Sequence, residues 1–162
     1  FFEMMGNMFA PETISQPVDL SAIISNAIAF NSRMILNNAH DFQGIAGLKK
    51  WQREVLNWGD LTDWQWTARF TYQVIERRGT GGGGFRPMYA DFLAEAAQYV
   101  PKAASLGLAQ QMYELGRAWH DLAMALKAAS EEKTPDFSEV AQRLRIVTTK
   151  ESAYHEDAVT LG

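Results

Sequence analysis

The sequence predicts an all-α protein, an irregular antiparallel bundle of about six helices, and three observations carry that expectation. Apolar residues recur every three or four positions in successive windows. No stretch beyond the first ten residues alternates convincingly with period two. Glycine, proline and asparagine cluster between the windows. With 162 residues, 47% of them apolar, the chain can bury the core of one ordinary domain. No internal repeat is visible.

The first helix is expected to open at Asp19, a residue type whose carboxylate caps free helix amides. Leu20, Ile23, Ile24, Ala27, Ile28, Met34 and Ile35 form its broad apolar face, and Asn37 and Asn38 end it. Gly44 and Gly47 loosen the start of a second helix, whose Leu48, Trp51, Val55 and Trp58 fall at helical spacing before Gly59 stops it. A third begins near Thr62 and Asp63 and carries Trp64, Trp66, Phe70, Val74 and Ile75. Pro87 suits the first turn of a fourth, striped by Phe85, Met88, Tyr89, Phe92, Leu93, Ala96 and Val100, and Pro101 marks a break or kink at its end. The fifth has the cleanest period: Leu108, Met112, Leu115, Trp119, Leu122 and Leu126, with Gly116 placed for close helix contact. The sixth aligns Val140, Leu144, Val147, Glu151, Tyr154, Ala158 and Leu161, and is expected to pair with the fifth as a hairpin. Glu151 is the charged member of that stripe. It reads either as a buried base with a raised pKa or, more commonly for such a position, as the partner of a cation from a facing helix. The five tryptophans read as core.

Composition removes several classes of function. The formal charge of −4 and the lack of any basic cluster argue against nucleic acid or an anionic membrane surface as a partner. The apolar run Leu20 to Phe30 is too short to cross a bilayer. Without cysteine there is no disulfide framework, thiolate zinc site or cysteine nucleophile, which fits a cytoplasmic location. Di-iron bundles need Glu-x-x-His turns, but Arg117 and Ser152 stand three residues before His120 and His155, and a zinc site of His40, His120 and His155 would have to be assembled from three separate helices. No metal or cofactor is therefore expected. Serine chemistry lacks a G-x-S-x-G elbow, so no catalytic residue is assigned within the chain. The densely apolar Phe1, Phe2, Met4, Met5, Met8 and Phe9, with no methionine at position 1, read as a linker or short strand over residues 1–18 that belongs to a missing N-terminal domain, leaving 19–162 as the helical domain. The other reading docks that start on the chain's own core.

The chemically unusual segment is Glu76, Arg77, Arg78, Gly79, Thr80, Gly81, Gly82, Gly83, Gly84, Phe85 and Arg86. Five glycines in six positions must end one helix before another starts, leaving bare amides beside arginines. The segment is no dinucleotide fingerprint, since a helix precedes it, and no nucleotide phosphate loop, since Phe85 and Arg86 stand where lysine and a hydroxyl are required. Three readings stay open. The glycines can permit close approach of two helices or a neighbouring domain, with Arg86 paired to Glu76. The amides and arginines can hold a carboxylate or phosphate. The loop can act as a mobile lid.

The run from Ile75 through Arg86, continuing to Met88, Tyr89, Ala90, Phe92 and Leu93, resembles a helical C-terminal domain of unknown function that follows butirosin biosynthesis protein H-type N-terminal domains. The Gly44 and Gly47 region and Trp58 fit the same pattern, so the resemblance covers most of the chain. It implies a two-part acyltransferase, whose N-terminal half looks like a papain-type or peptidase-like cysteine fold and moves an acyl group from an acyl carrier protein to an amine acceptor. The nucleophilic cysteine would lie in that missing half, and this chain would contribute substrate or carrier binding. The glycine loop would face the missing domain and help bind phosphopantetheine or a substrate carboxylate. Partners implied or considered are that domain, an acyl carrier protein and a second copy of the chain. The alternative is a structural or dimerisation module with no catalytic role, and a freestanding ligand-binding bundle is a third reading.

Overall fold

The computed structural model describes residues 17–162, and among these every regular element is helical. The strand expected over 1–18 falls almost wholly outside the described residues. The α-helices are α1 (Leu20–Leu36), α2 (Gly44–Glu54), α3 (Trp64–Glu76), α4 (Arg86–Ala96), α5 (Pro101–Ser105), α6 (Leu108–Glu131) and α7 (Ser138–Ala158). Short 3-10 turns follow α2 (Val55–Asp60), precede α4 (Gly83–Phe85) and close the chain (Val159–Leu161). The additional helix relative to expectation is α5. Pro101 breaks the chain as expected, and its fixed φ then seeds one new turn at the first helical position.

Helix α6 is the axis of the bundle, and α3, α4 and α7 all pack against it. Side-chain partners give the directions. Arg69 meets Glu131 while Glu76 meets His120, so α3 runs antiparallel to α6. Arg143 meets Asp121 while Gln111 donates to Asp157, so α7 runs antiparallel to α6 as the hairpin reading requires. The whole apolar stripe of α6, Leu108 through Leu126, is buried. The stripe of α7 is buried from Val140 to Ala158, Glu151 included. Trp51 stacks on Trp58 at 5.8 Å between ring centroids and leans on Trp119, while Trp58 and Trp64 meet Phe137 edge-on. Four tryptophans thus join the core or its border, and Trp66 stays exposed. Asp19 caps α1, its carboxylate accepting from the Ala22 amide at 3.0 Å.

Two helices bury only part of the stripe their apolar residues suggested, Ile75 in α3 and Leu93 and Ala96 in α4 among them. In α3 the buried residues are Ala68, Tyr72 and Ile75, and Trp66, Phe70 and Val74 point outward. In α4 the buried residues are Ala90, Leu93 and Ala96, and Met88 and Phe92 are exposed. The cause is common to both. Close packing against α6 favours alanine on the facing side, so the bulkiest side chains fall on flanks or surface.

Candidate functional site

The loop between α3 and α4 is a run of left-handed backbone: Gly79, Gly81, Gly82, Gly83, Gly84 and even Phe85, at φ 69°, all have positive φ. Glycine adopts this freely and phenylalanine does not, so Phe85 holds a strained conformation. Thr80 caps the end of α3 by donating its hydroxyl to the Ile75 carbonyl at 2.6 Å. The Gly83 amide donates to Glu76 Oε1 at 2.9 Å, while His120 Nδ1 on α6 lies 3.2 Å from Glu76 Oε2. Glu76 therefore fastens the loop to α6. At Gly83 the approach to α6 is so close that a Cβ would stand 2.8 Å from the Gly116 carbonyl oxygen, and a Cβ on Gly116 would press on Arg86 and Pro87.

This docking delivers Arg86, the first residue of α4, to Glu151 on α7. Arg86 donates through Nε at 3.0 Å and Nη2 at 2.5 Å to Glu151 Oε1, and through Nη1 to the Gly84 carbonyl at 2.7 Å. Its guanidinium lies 4.4 Å over the Trp119 ring, whose indole N–H also donates to Glu151 Oε1 at 2.6 Å. The other carboxylate oxygen, Oε2, is 3.2 Å from His155 Nε2, one turn along α7. His155 Nδ1 in turn lies 3.1 Å from the Ser32 hydroxyl of α1. Glu151, His155 and Ser32 are 3%, 5% and 0% exposed.

Burial alone pushes the Glu151 carboxyl up. The His155 hydrogen bond, the Arg86 charge and the Trp119 N–H together outweigh it and hold the group below the ordinary glutamate value. Glu151 is thus an ionised acceptor, so His155 Nε2 carries the proton between them. The Ser32, His155 and Glu151 line resembles a triad in composition only, because Ser32 is sealed inside the bundle. Tyr154, beside His155, is buried with no partner for its hydroxyl among the described residues, and burial pushes its ionisation far up. It is a phenol under all ordinary conditions.

Above this network opens a cavity of about 340 Å³, formed where α1, the glycine loop, α4, α6 and α7 converge. Its walls are Ile35, Phe85, Met88, Tyr89, Phe92 and Met112. Arg86, Glu151 and His155 supply the polar floor, and Asn31 and Gly84 complete the lining. That volume lies within the range of about 300–1,000 Å³ typical of small-molecule sites.

A model built from one protein family matches residues 1–158, nearly the entire chain. The chain belongs to the family described as domain of unknown function DUF4872. No curated protein and no solved structure matches it.

Within this DUF4872 domain the expected site residues part into two groups. Glu76, Thr80, Gly83, Gly84 and Arg86 converge on the loop's docking to α6 and α7. Arg77 instead turns back to the Tyr72 hydroxyl at 3.2 Å, and Arg78 reaches Gln73 at 3.0 Å and covers the Phe70 ring. Gly79 and Gly81 border open space, and Gly82 approaches Glu76. Arg86 pairs with Glu151 and not with Glu76, because the loop curls so that Glu76 is taken by Gly83 and His120. Residue reasoning placed a cation opposite Glu151 and left its identity open. It missed the buried Ser32 and His155, although His155 follows Glu151 by one helical turn on the same stripe. Among the described residues no three His, Cys, Asp or Glu side chains gather as a metal site requires, and no helix is long and apolar enough to cross a membrane.

Proposed function

We propose that this domain is the helical portion of a butirosin biosynthesis protein H-like acyltransferase, holding the substrate or the carrier's acylated arm while a cysteine outside the chain performs the transfer. The observation that supports this reading is the cavity. It lies directly against the glycine loop, its walls are apolar, and its floor is a fixed network of Arg86, Glu151 and His155. A recessed, mostly apolar pocket with few polar groups is the usual form of a small-molecule site.

Calorimetric titration with an acyl carrier protein bearing an acylated phosphopantetheine arm tests the reading. Met88 is largely exposed at the cavity wall, so Met88→Asp leaves the core intact. It is expected to weaken binding about tenfold while thermal stability is unchanged, since a charge at an apolar wall must be desolvated by the ligand. Equal affinity in the folded variant, or no binding heat at all, would leave the bundle a structural or dimerisation module.

A further inference from the structure

We infer that the cavity takes an uncharged apolar chain, hydrocarbon or aromatic, threaded past Phe85, and that it does not hold the phosphate or carboxylate end of a ligand. This rests on the reading of the cavity as a binding site given above. The cavity lining holds one arginine, Arg86, and that cation is already engaged. Arg86 is committed to Glu151 and to the Gly84 carbonyl, while Arg77 and Arg78, bonded to the neutral Tyr72 and Gln73, lie outside the lining. The loop amide best placed for an anion, that of Gly83, is held by the protein's own Glu76 carboxylate. At the cavity floor the Arg86 charge is cancelled by the ionised Glu151, whose Oε2 further faces His155. An entering anion would meet a carboxylate and no unpaired cation, and would lose its hydration for nothing. The walls offer two methionines and three aromatic rings, surfaces that adapt to an apolar chain by dispersion and thioether contacts.

Phe85 gives the loop its part in this. Four preceding glycines supply left-handed backbone at little cost, yet the sequence places a phenylalanine at the fifth such position. That side chain is 50% exposed, so it adds little to the core. A strained residue with a half-exposed ring on the wall of a cavity fits a contact completed by a ligand.

Binding of n-octanol, octanoate and inorganic phosphate to the 162-residue chain, followed by tryptophan fluorescence with Trp119 beneath the floor, tests this directly. Octanol is expected to bind, octanoate to bind no tighter, and phosphate to cause no change. Phe85→Gly is expected to raise the melting temperature by relieving the positive φ, and to weaken octanol about fivefold by removing one wall. Met88→Asp, which is free of backbone effects, is expected to weaken octanol as well. Octanoate or phosphate binding about tenfold tighter than octanol, absence of octanol binding to the folded chain, or unchanged octanol affinity in both variants overturns the inference. Carrier binding without octanol binding sinks this inference alone. Octanol binding without carrier binding sinks the acyltransferase reading and leaves the apolar-chain site standing.

Discussion

At the scale of single residues, Glu151 decides how the site behaves. A carboxylate at 3% exposure is tolerated because both oxygens are occupied, one by Arg86 and Trp119 and the other by His155. Removing one partner of such a buried pair leaves the other uncompensated. Glu151→Ala is therefore expected to cost on the order of 3–5 kcal/mol in denaturant unfolding. Glu151→Gln keeps an acceptor for Arg86 and Trp119 and is expected to cost about 1–3 kcal/mol near neutral pH. The pH dependence has a definite sign. The folded-state pKa lies below the ordinary 4.5, so the Glu151 contribution is complete above that value and is lost as pH falls through the folded pKa. Melting temperatures of wild type and Glu151→Gln should thus converge on acidification below about pH 4.5, and a gap that stays constant into acid would show that charge is not what stabilises Glu151.

At the scale of elements, the glycine loop acts through one of its glycines more than the others. Gly81 and Gly83 share positive φ, but a Cβ on Gly81 meets nothing within 4 Å, whereas one on Gly83 meets the Gly116 carbonyl at 2.8 Å. Gly81→Ala should cost about 1–2 kcal/mol, the left-handed backbone penalty alone. Gly83→Ala carries that penalty plus a clash with backbone that cannot rotate away, which adds about 1–3 kcal/mol and displaces Arg86 from Glu151. Equal unfolding free energies for the two variants would mean that the contact with α6 is not what fixes the loop. The same loop marks the limit of what sequence discloses. Five glycines announce a break between helices, and the period of α6 is unmistakable because Leu108, Met112, Leu115, Trp119, Leu122 and Leu126 are all large and all inward. In α3 and α4 the inward positions include Ala68 and Ala90, whose small size gives no periodic signal, so the exposed Phe70 and Phe92 dominated the pattern. Arg86 stood out in the sequence, but its partner lies 65 residues away, a separation that local spacing cannot bridge.

At the scale of the whole molecule, the cavity depends on a helix far less secured to the bundle than α6. Helix α1 brings Asn31 and Ile35 to the lining and seats Ser32 on His155. Of its 17 residues only Ile28, Ala29 and Ser32 are buried, whereas α6 buries ten of 24. The exposed Ile23, Phe30 and Met34 show how much of its apolar face finds no partner among the described residues. Local opening tracks buried contact, so α1 should detach at lower free energy than the α3, α4, α6 and α7 core. Amide hydrogen exchange is expected to be at least about tenfold faster in α1 than in the middle of α6, with α6 exchanging only through global unfolding. Saturating n-octanol should slow α1 and leave α6 nearly unchanged relative to global stability, because a chain in the cavity touches α1 and α4 together and binds only the closed form. Uniform protection across both helices would mean that α1 is an integral part of the cooperative core. The cavity would then be a rigid recess, filled and emptied past Phe85 without any helix moving aside.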